Sequence, residues 1–149
     1  MTISPFVKFI SVLLVFFQFA SIGGLFLLEP IFSSGLLLIV QIIGVVVGLA
    51  GVFTLKLGEF NIVPIPKNDC CLHTSGIYTY IRHPMYASIF LFFTPTLLTM
   101  TNPISFAVFA ILAITLIIKL HFEEYLLIQA FPEYKDYQQS SKKLIPFVF

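Results

Sequence analysis

The sequence predicts an all-α, polytopic membrane protein with about four transmembrane helices and a C-terminal helical tail at the cytoplasmic face. Of the 149 residues, 58% are hydrophobic and only 10% are charged, and the mean hydropathy is +1.02. A soluble core of this size cannot bury so much apolar surface. The apolar residues also form four runs separated by polar or turn-forming segments, which is the pattern of membrane spans. We expect one membrane domain over residues 1–149.

The first two apolar runs cover about residues 6–28 and 35–55. At ~1.5 Å per residue, each can cross the ~30 Å hydrocarbon layer as a helix. We expect the first run to be an uncleaved anchor, because it is longer than the apolar part of a signal peptide.

Small and polar residues in these runs predict contacts between helices. Gly44 and Gly48 form a GxxxG pattern, which lets another helix approach closely. Gln18 and Gln41 are candidates for a hydrogen bond between the first and second spans.

The third and fourth runs cover about residues 85–100 and 104–120, and only Thr101-Asn102-Pro103 separates them. This tripeptide favours a turn, so the two runs are expected to form a helical hairpin. Both are short for a membrane span, which predicts a thin bilayer or helices that extend into the headgroups.

Basic residues predict the orientation of the spans. They lie at the N-terminus, in the long segment between the second and third spans, and after the fourth span: Lys8, Lys56, Lys67, Arg82, Lys119, Lys135, Lys142 and Lys143. The positive-inside rule therefore puts both termini in the cytoplasm, with Glu29 and Thr101 outside. In the long segment, Asn61–Asp69 is expected to be an irregular connector, and Cys70 and Cys71 are expected to have no catalytic role.

Two polar clusters flank the predicted hairpin. His83 lies 19 residues before Asn102, and Glu123 lies 21 residues after it. At ~1.5 Å per residue, both are about 28 to 32 Å from the turn. Arg82, His83, Glu123 and Glu124 should therefore meet at the cytoplasmic end. Ionisable groups at a membrane helix end indicate a functional site.

The chemistry of these groups suits a ligand that carries charges of both signs. Pro84 is suited to the first helical position, which makes His83 the expected cap and leaves backbone N–H groups free to bind an anion. Arg82 can hold a carboxylate, and the Glu123-Glu124 pair can accept from an ammonium group or from hydroxyls. S-adenosylmethionine carries all of these groups. The alternative is an ion pair that only anchors two helix ends. No metal site and no nucleic-acid surface is predicted.

Three linked motifs give the sequence a family resemblance. They are the run Gly76–Tyr86 with its Arg82-His83-Pro84, the pair Glu123-Glu124, and the tail from Phe131-Pro132-Glu133-Tyr134 to Pro146. In this order and spacing they resemble the isoprenylcysteine carboxyl methyltransferase and phospholipid methyltransferase superfamily. The likeness covers about residues 44–146, which would form the catalytic module, and it implies that the first span is an accessory element.

The resemblance implies a methyltransferase that uses S-adenosylmethionine at the cytoplasmic membrane face. Its acceptor would be a lipid or a small hydrophobic molecule. The implied cofactor-binding residues are His83, Pro84, Tyr86, Glu123 and Glu124. Tyr78 is a further candidate, which either contacts the cofactor or lies in the interfacial aromatic belt. The catalytic candidates are Arg82 and Glu124, of which Glu124 could take a proton from an amine acceptor.

The tail departs from the family pattern at one position. Where relatives that methylate a prenylcysteine carboxylate carry an arginine, this chain has Ser140. Lys142 or Lys143 could substitute for it, but lysine lacks the bidentate fork of arginine. Two other functions stay open: an NADPH-dependent enzyme resembling sterol reductases, against which the acidic pair argues, and a membrane protein that kept the fold without catalysis. Neither the methylated atom nor the oligomeric state follows from the sequence.

Overall fold

The computed structural model describes residues 4–55 and 72–145. These residues form five α-helices and one 3₁₀ turn: α1 (Pro5–Leu28), α2 (Leu36–Thr54), the 3₁₀ turn (Gly76–Thr79), α3 (Pro84–Thr99), α4 (Pro103–Ala130) and α5 (Tyr134–Ser140). The predicted connector at Asn61–Asp69 and the cysteines Cys70 and Cys71 lie outside the described residues.

Three of the helices are long and apolar enough to cross a membrane, namely α1, α2 and α4. The remaining helix, α3, corresponds to the third predicted span; it has 16 residues and is therefore only about 24 Å long. The described residues thus confirm an all-helical, polytopic membrane protein in which one apolar helix is shorter than a full span.

Capping residues explain where the helices begin and end. Ser4 caps α1 by accepting a hydrogen bond from the Val7 backbone N–H at 3.3 Å, and Asn102 caps α4 in the same way from Ile104 at 2.9 Å. A proline at the start of both helices supplies a suitable backbone angle. α4 continues to Ala130, beyond the predicted end at residue 120, because its next proline is Pro132.

The long helices pack as two antiparallel pairs, α2 with α3 and α1 with α4. A Cβ atom on Gly44 would lie 3.0 Å from the Phe92 backbone nitrogen, and one on Gly48 would lie 3.0 Å from the Ser88 Oγ. The prediction that GxxxG marks a close helix contact is therefore confirmed, and the partner is α3. The chain does reverse between α3 and α4, but each of these helices packs mainly against its partner in the other pair.

The expected hydrogen bond between Gln18 and Gln41 is wrong. Gln41 instead accepts from the Ser33 backbone N–H at 2.9 Å and donates to the Phe92 carbonyl at 3.1 Å. Gln18 accepts a hydrogen bond from the Lys119 ammonium group at 2.7 Å. The reason is the pairing of the helices, since α1 packs against α4 and α2 against α3.

The antiparallel pairing brings several helix ends to one end of the bundle. Leucines of α1 and α4, including Leu25, Leu112 and Leu116, join Phe93 of α3 in the buried core. The start of α1, the end of α2, the start of α3 and the end of α4 consequently share one end, where α5 follows α4. The charged residues of both sequence motifs lie there.

Candidate active site

The start of α3 has the local structure that the sequence predicts. His83 is the N-cap and Pro84 occupies the first turn. The His83 carbonyl accepts from the backbone N–H groups of Tyr86 at 3.1 Å and Ala87 at 3.0 Å. The Pro84 side chain is buried against Gly51 of α2, where its Cγ would lie 3.1 Å from an added Cβ. Pro84 thus sets the start of the helix and its contact with α2. The expectation that backbone N–H groups remain free here is wrong for Tyr86, which donates to the His83 carbonyl, and for His83, whose N–H donates to the Lys143 carbonyl.

The C-terminal tail pairs with the chain just before α3. The backbone N–H of Arg82 donates to the Lys142 carbonyl at 2.7 Å, and that of His83 donates to the Lys143 carbonyl at 3.0 Å. Lys142 in turn donates to the Tyr80 carbonyl at 3.0 Å. These bonds form a short parallel bridge, which fixes the tail across the Arg-His-Pro motif.

Arg82 joins the end of α4 to this tail. Its Nε lies 2.8 Å from Glu124 Oε1, and both side chains are almost fully buried. Its Nη1 donates to the Gln138 carbonyl at 3.1 Å and also to the Ser141 carbonyl. Lys143 Nζ approaches the second Glu124 oxygen at 3.6 Å. The helix-anchoring ion pair that the sequence suggested as an alternative is therefore present, between Arg82 and Glu124.

Glu123 has different surroundings from Glu124. Its side chain is 29% exposed, against 7% for Glu124. It accepts a hydrogen bond from the Tyr86 hydroxyl at 2.7 Å and lies 3.7 Å from His83 Nδ1. The His83 and Tyr86 rings stack with centroids 5.4 Å apart. Arg82 thus pairs with Glu124 and not with Glu123, whose carboxylate lies on the more accessible side of the cluster.

Three buried tyrosines surround these charges. The Tyr137 hydroxyl donates to the Tyr78 carbonyl at 2.5 Å, and burial raises the pKa of Tyr137 to about 12. Burial, followed by the negative charge of Glu123, raises the pKa of Tyr78 above its usual value. Burial and the charge of Glu124 do the same for the pKa of Tyr134. The Tyr134 hydroxyl has no hydrogen-bond partner among the described residues. All three phenols therefore remain neutral at physiological pH.

Two further tail positions bear on the sequence predictions. Ser140, where the family resemblance leads us to expect an arginine, is exposed, and its hydroxyl donates to the Tyr137 carbonyl at 3.0 Å. Lys143 is the tail lysine whose side chain reaches the acidic pair. It also lies 3.2 Å from His121 Nε2.

The sequence reasoning missed Lys119 as part of this region, having counted it only for orientation. Its side chain is 2% exposed, donates to Gln18 of α1 at 2.7 Å, and has its Nζ 5.4 Å from the centre of the Tyr86 ring. The signal was available, because a lysine inside an apolar helix is unusual and this one precedes Glu123 by one helical turn.

The structure therefore brings together Arg82, His83, Tyr86, Glu123 and Glu124, as the spacing around the turn predicts. These features define the class of protein: a multi-pass membrane protein with a cluster of ionic and aromatic side chains at one end of its helix bundle. Residues 35–129 match the model of the isoprenylcysteine carboxyl methyltransferase (ICMT) family. The chain belongs to this family.

A curated relative supports the same assignment. The chain is similar to protein-S-isoprenylcysteine O-methyltransferase A of Arabidopsis thaliana, with 29% identity over 114 residues, which cover 74% of this chain and 58% of that protein. The chain thus matches little more than half the length of this relative. The family match includes both charged motifs but leaves α1 and α5 outside its bounds.

Proposed function

We propose that this protein is a methyltransferase that transfers a methyl group from S-adenosylmethionine to a lipid or small hydrophobic acceptor. The observation that carries the proposal is the meeting of two motifs 40 positions apart in a member of the ICMT family, with Glu123 Oε2 3.7 Å from His83 Nδ1. The residues involved also fit the chemical groups of that cofactor.

The fit is supported by the donors and acceptors at the cluster. Glu123 offers a partly exposed carboxylate to hydroxyl or ammonium groups. The positive end of the α3 helix dipole favours a nearby carboxylate, and the buried Tyr134 hydroxyl lacks a partner among the described residues. We assign cofactor binding to His83, Tyr86 and Glu123, with Tyr78 and Tyr134 beside them. Pro84 contributes by starting the helix.

We propose supporting roles for Arg82 and Glu124, which the sequence suggested as catalytic. Arg82 already donates through Nε to Glu124 and through Nη1 to tail carbonyls, so these donors serve contacts within the protein. Glu124 is held by Arg82 and Lys143, and an ion-paired carboxylate is poorly suited to accept a proton. Both residues would act by holding the tail over the site.

The reaction needs little chemistry from the protein itself. Bound S-adenosylmethionine supplies an activated methyl group on a sulfonium. The side chains of the chain would bind and orient this donor, exclude water and align an acceptor. We propose that a lipophilic acceptor enters from the bilayer and that the site and both termini are cytoplasmic, as the basic residues predict. The module over 44–146 would contain the site, within one domain over 1–149.

Calorimetric binding of S-adenosylhomocysteine to the detergent-purified protein tests the proposal. We expect binding, and we expect Glu123→Gln to weaken it by about 10 to 100-fold, because a charged hydrogen-bond acceptor is lost. Glu133→Gln is the matched control, since Glu133 is an exposed carboxylate just before α5. It should bind like the wild type.

NADPH, titrated in parallel, addresses the reductase alternative. Binding of NADPH without binding of S-adenosylhomocysteine would overturn the proposal. Equal affinity of wild type and Glu123→Gln would remove Glu123 from the site. Failure of both ligands to bind a folded protein would favour a non-catalytic member of the family.

A further inference from the structure

A buried polar connection links α1 to the candidate cofactor site. Gln18 of α1 accepts from Lys119 of α4 at 2.7 Å. Lys119 lies over the Tyr86 ring at 5.4 Å, and the Tyr86 hydroxyl donates to Glu123 at 2.7 Å. These three contacts join α1 to α4, α4 to α3, and α3 back to α4. A change at Gln18 can therefore affect Glu123 through side-chain contacts.

The Lys119 ammonium group is an unusual element of this connection. It is 2% exposed, yet it donates its hydrogen bond to the neutral amide of Gln18 rather than to a carboxylate. Burying a cation away from water is costly unless other groups compensate. The compensation available is the face of the Tyr86 ring and the carboxylate of Glu123, one helical turn further along α4.

The same contacts benefit the site. A cation one helical turn from Glu123 attracts the carboxylate toward α4, and its attraction to the ring of Tyr86 holds that ring in place. The Tyr86 ring also stacks on His83, with an interplanar angle of 8°. Fixing Tyr86 therefore fixes two of the three side chains assigned to the cofactor and orients the carboxylate of the third.

We propose that Lys119, held by Gln18 of α1, is a positioning residue for the cofactor site, acting through Tyr86 and Glu123. α1 is then a working part of the site rather than an accessory helix, although it lies outside the family match over residues 35–129. This inference rests on the proposed function, because it concerns binding of the same cofactor.

Variants at Lys119 separate the charge from the space that the side chain fills. Lys119→Arg keeps the cation, whereas Lys119→Gln keeps a hydrogen-bond donor for Gln18 and loses the cation. For S-adenosylhomocysteine in calorimetry, we expect Lys119→Arg to retain affinity within about twofold and Lys119→Gln to lose about tenfold. Thermal unfolding followed by circular dichroism in the same detergent verifies that each variant is folded.

Variants on α1 test the role of that helix without changing any charge. Gln18→Leu removes the acceptor for Lys119, and we expect it to weaken S-adenosylhomocysteine binding by about threefold or more. Ser21→Ala is the matched control, because Ser21 is buried on the same helix, whereas the hydrogen bond from Lys119 to α1 goes to Gln18. It should bind like the wild type.

The outcomes are distinguishable from failure of the proposed function. If the wild type does not bind S-adenosylhomocysteine, the proposed function fails and this inference fails with it. If the wild type binds and folded Lys119→Gln and Gln18→Leu bind equally well, only the inference is overturned. A loss in Lys119→Arg as large as that in Lys119→Gln would show a packing role instead of a charge role. If Lys119→Gln does not fold, the comparison of Gln18→Leu with Ser21→Ala decides the question.

Discussion

Glu123 and Glu124 show how adjacent residues of one motif can have different surroundings. The guanidinium of Arg82 is buried and divided between Glu124 and the carbonyls of Gln138 and Ser141. Glu123, adjacent to Glu124 in sequence, points to a more accessible position beside His83. The sequence left a choice between a ligand site and a helix-anchoring ion pair. The two adjacent carboxylates allow both, because one is anchored and the other is accessible.

Loss of the Arg82 side chain should release the tail. In Arg82→Gln the Glu124 carboxylate loses its guanidinium partner and the tail loses its side-chain donors, a change that costs about 3 to 5 kcal/mol for a buried pair. We expect faster tryptic cleavage after Lys142, followed by mass spectrometry. Lys8→Gln, which removes an exposed cation, is the control. Cleavage after Lys142 at the wild-type rate in Arg82→Gln would contradict this role.

At the scale of helices, the close contact between α2 and α3 depends on two glycines, Gly44 and Gly48. Gly44 faces the backbone of α3, which cannot move aside, with the Phe92 nitrogen and the Ser88 carbonyl both 3.0 Å from an added Cβ. Gly48 faces the Ser88 side chain, whose Oγ and Cβ lie 3.0 Å and 3.1 Å from an added Cβ; of these, the Oγ can move by a change of rotamer. The two glycines of one sequence motif therefore differ in tolerance.

Gly44→Ala should destabilise the protein by about 1 to 3 kcal/mol through overpacking, and Gly48→Ala should cost less. Gly23→Ala is the matched control, because no other atom lies within 4 Å of an added Cβ there. Thermal unfolding by circular dichroism measures all three, which suits a chain without tryptophan. A Gly44→Ala midpoint equal to that of Gly23→Ala would show that α2 and α3 can separate without cost.

At the scale of the whole molecule, the pairing of α1 with α4 and of α2 with α3 places the site at one end of the bundle. α4 has 28 residues, about 42 Å in length, which exceeds the ~30 Å hydrocarbon thickness. Its last turns, which carry Glu123 and Glu124, can therefore leave the hydrocarbon while its first turns remain inside. This lets the ionic cluster lie next to the bilayer from which we propose that a lipophilic acceptor enters.

The proposed orientation predicts which residues are reached from outside a cell. In a background with Cys70→Ser and Cys71→Ser, Thr101→Cys should react with a membrane-impermeant maleimide on intact cells. Glu133→Cys should react only after permeabilisation, because the positive-inside rule puts that end in the cytoplasm. Both positions are exposed. The reverse pattern of labelling would place the site outside.

The sequence by itself determined the membrane class, most helix bounds and the meeting of the two charged motifs. These features depend on local properties of the chain. The length of each apolar run and its capping residues set the helix bounds, and the 19- and 21-residue separations from Asn102 bring the two motifs together across one turn. The tertiary structure decided which helices pair, and hence that Gln18 meets Lys119 and not Gln41. It also decided which of two adjacent glutamates is buried. Such choices depend on side-chain contacts between segments far apart in the chain, and no spacing in the sequence encodes them.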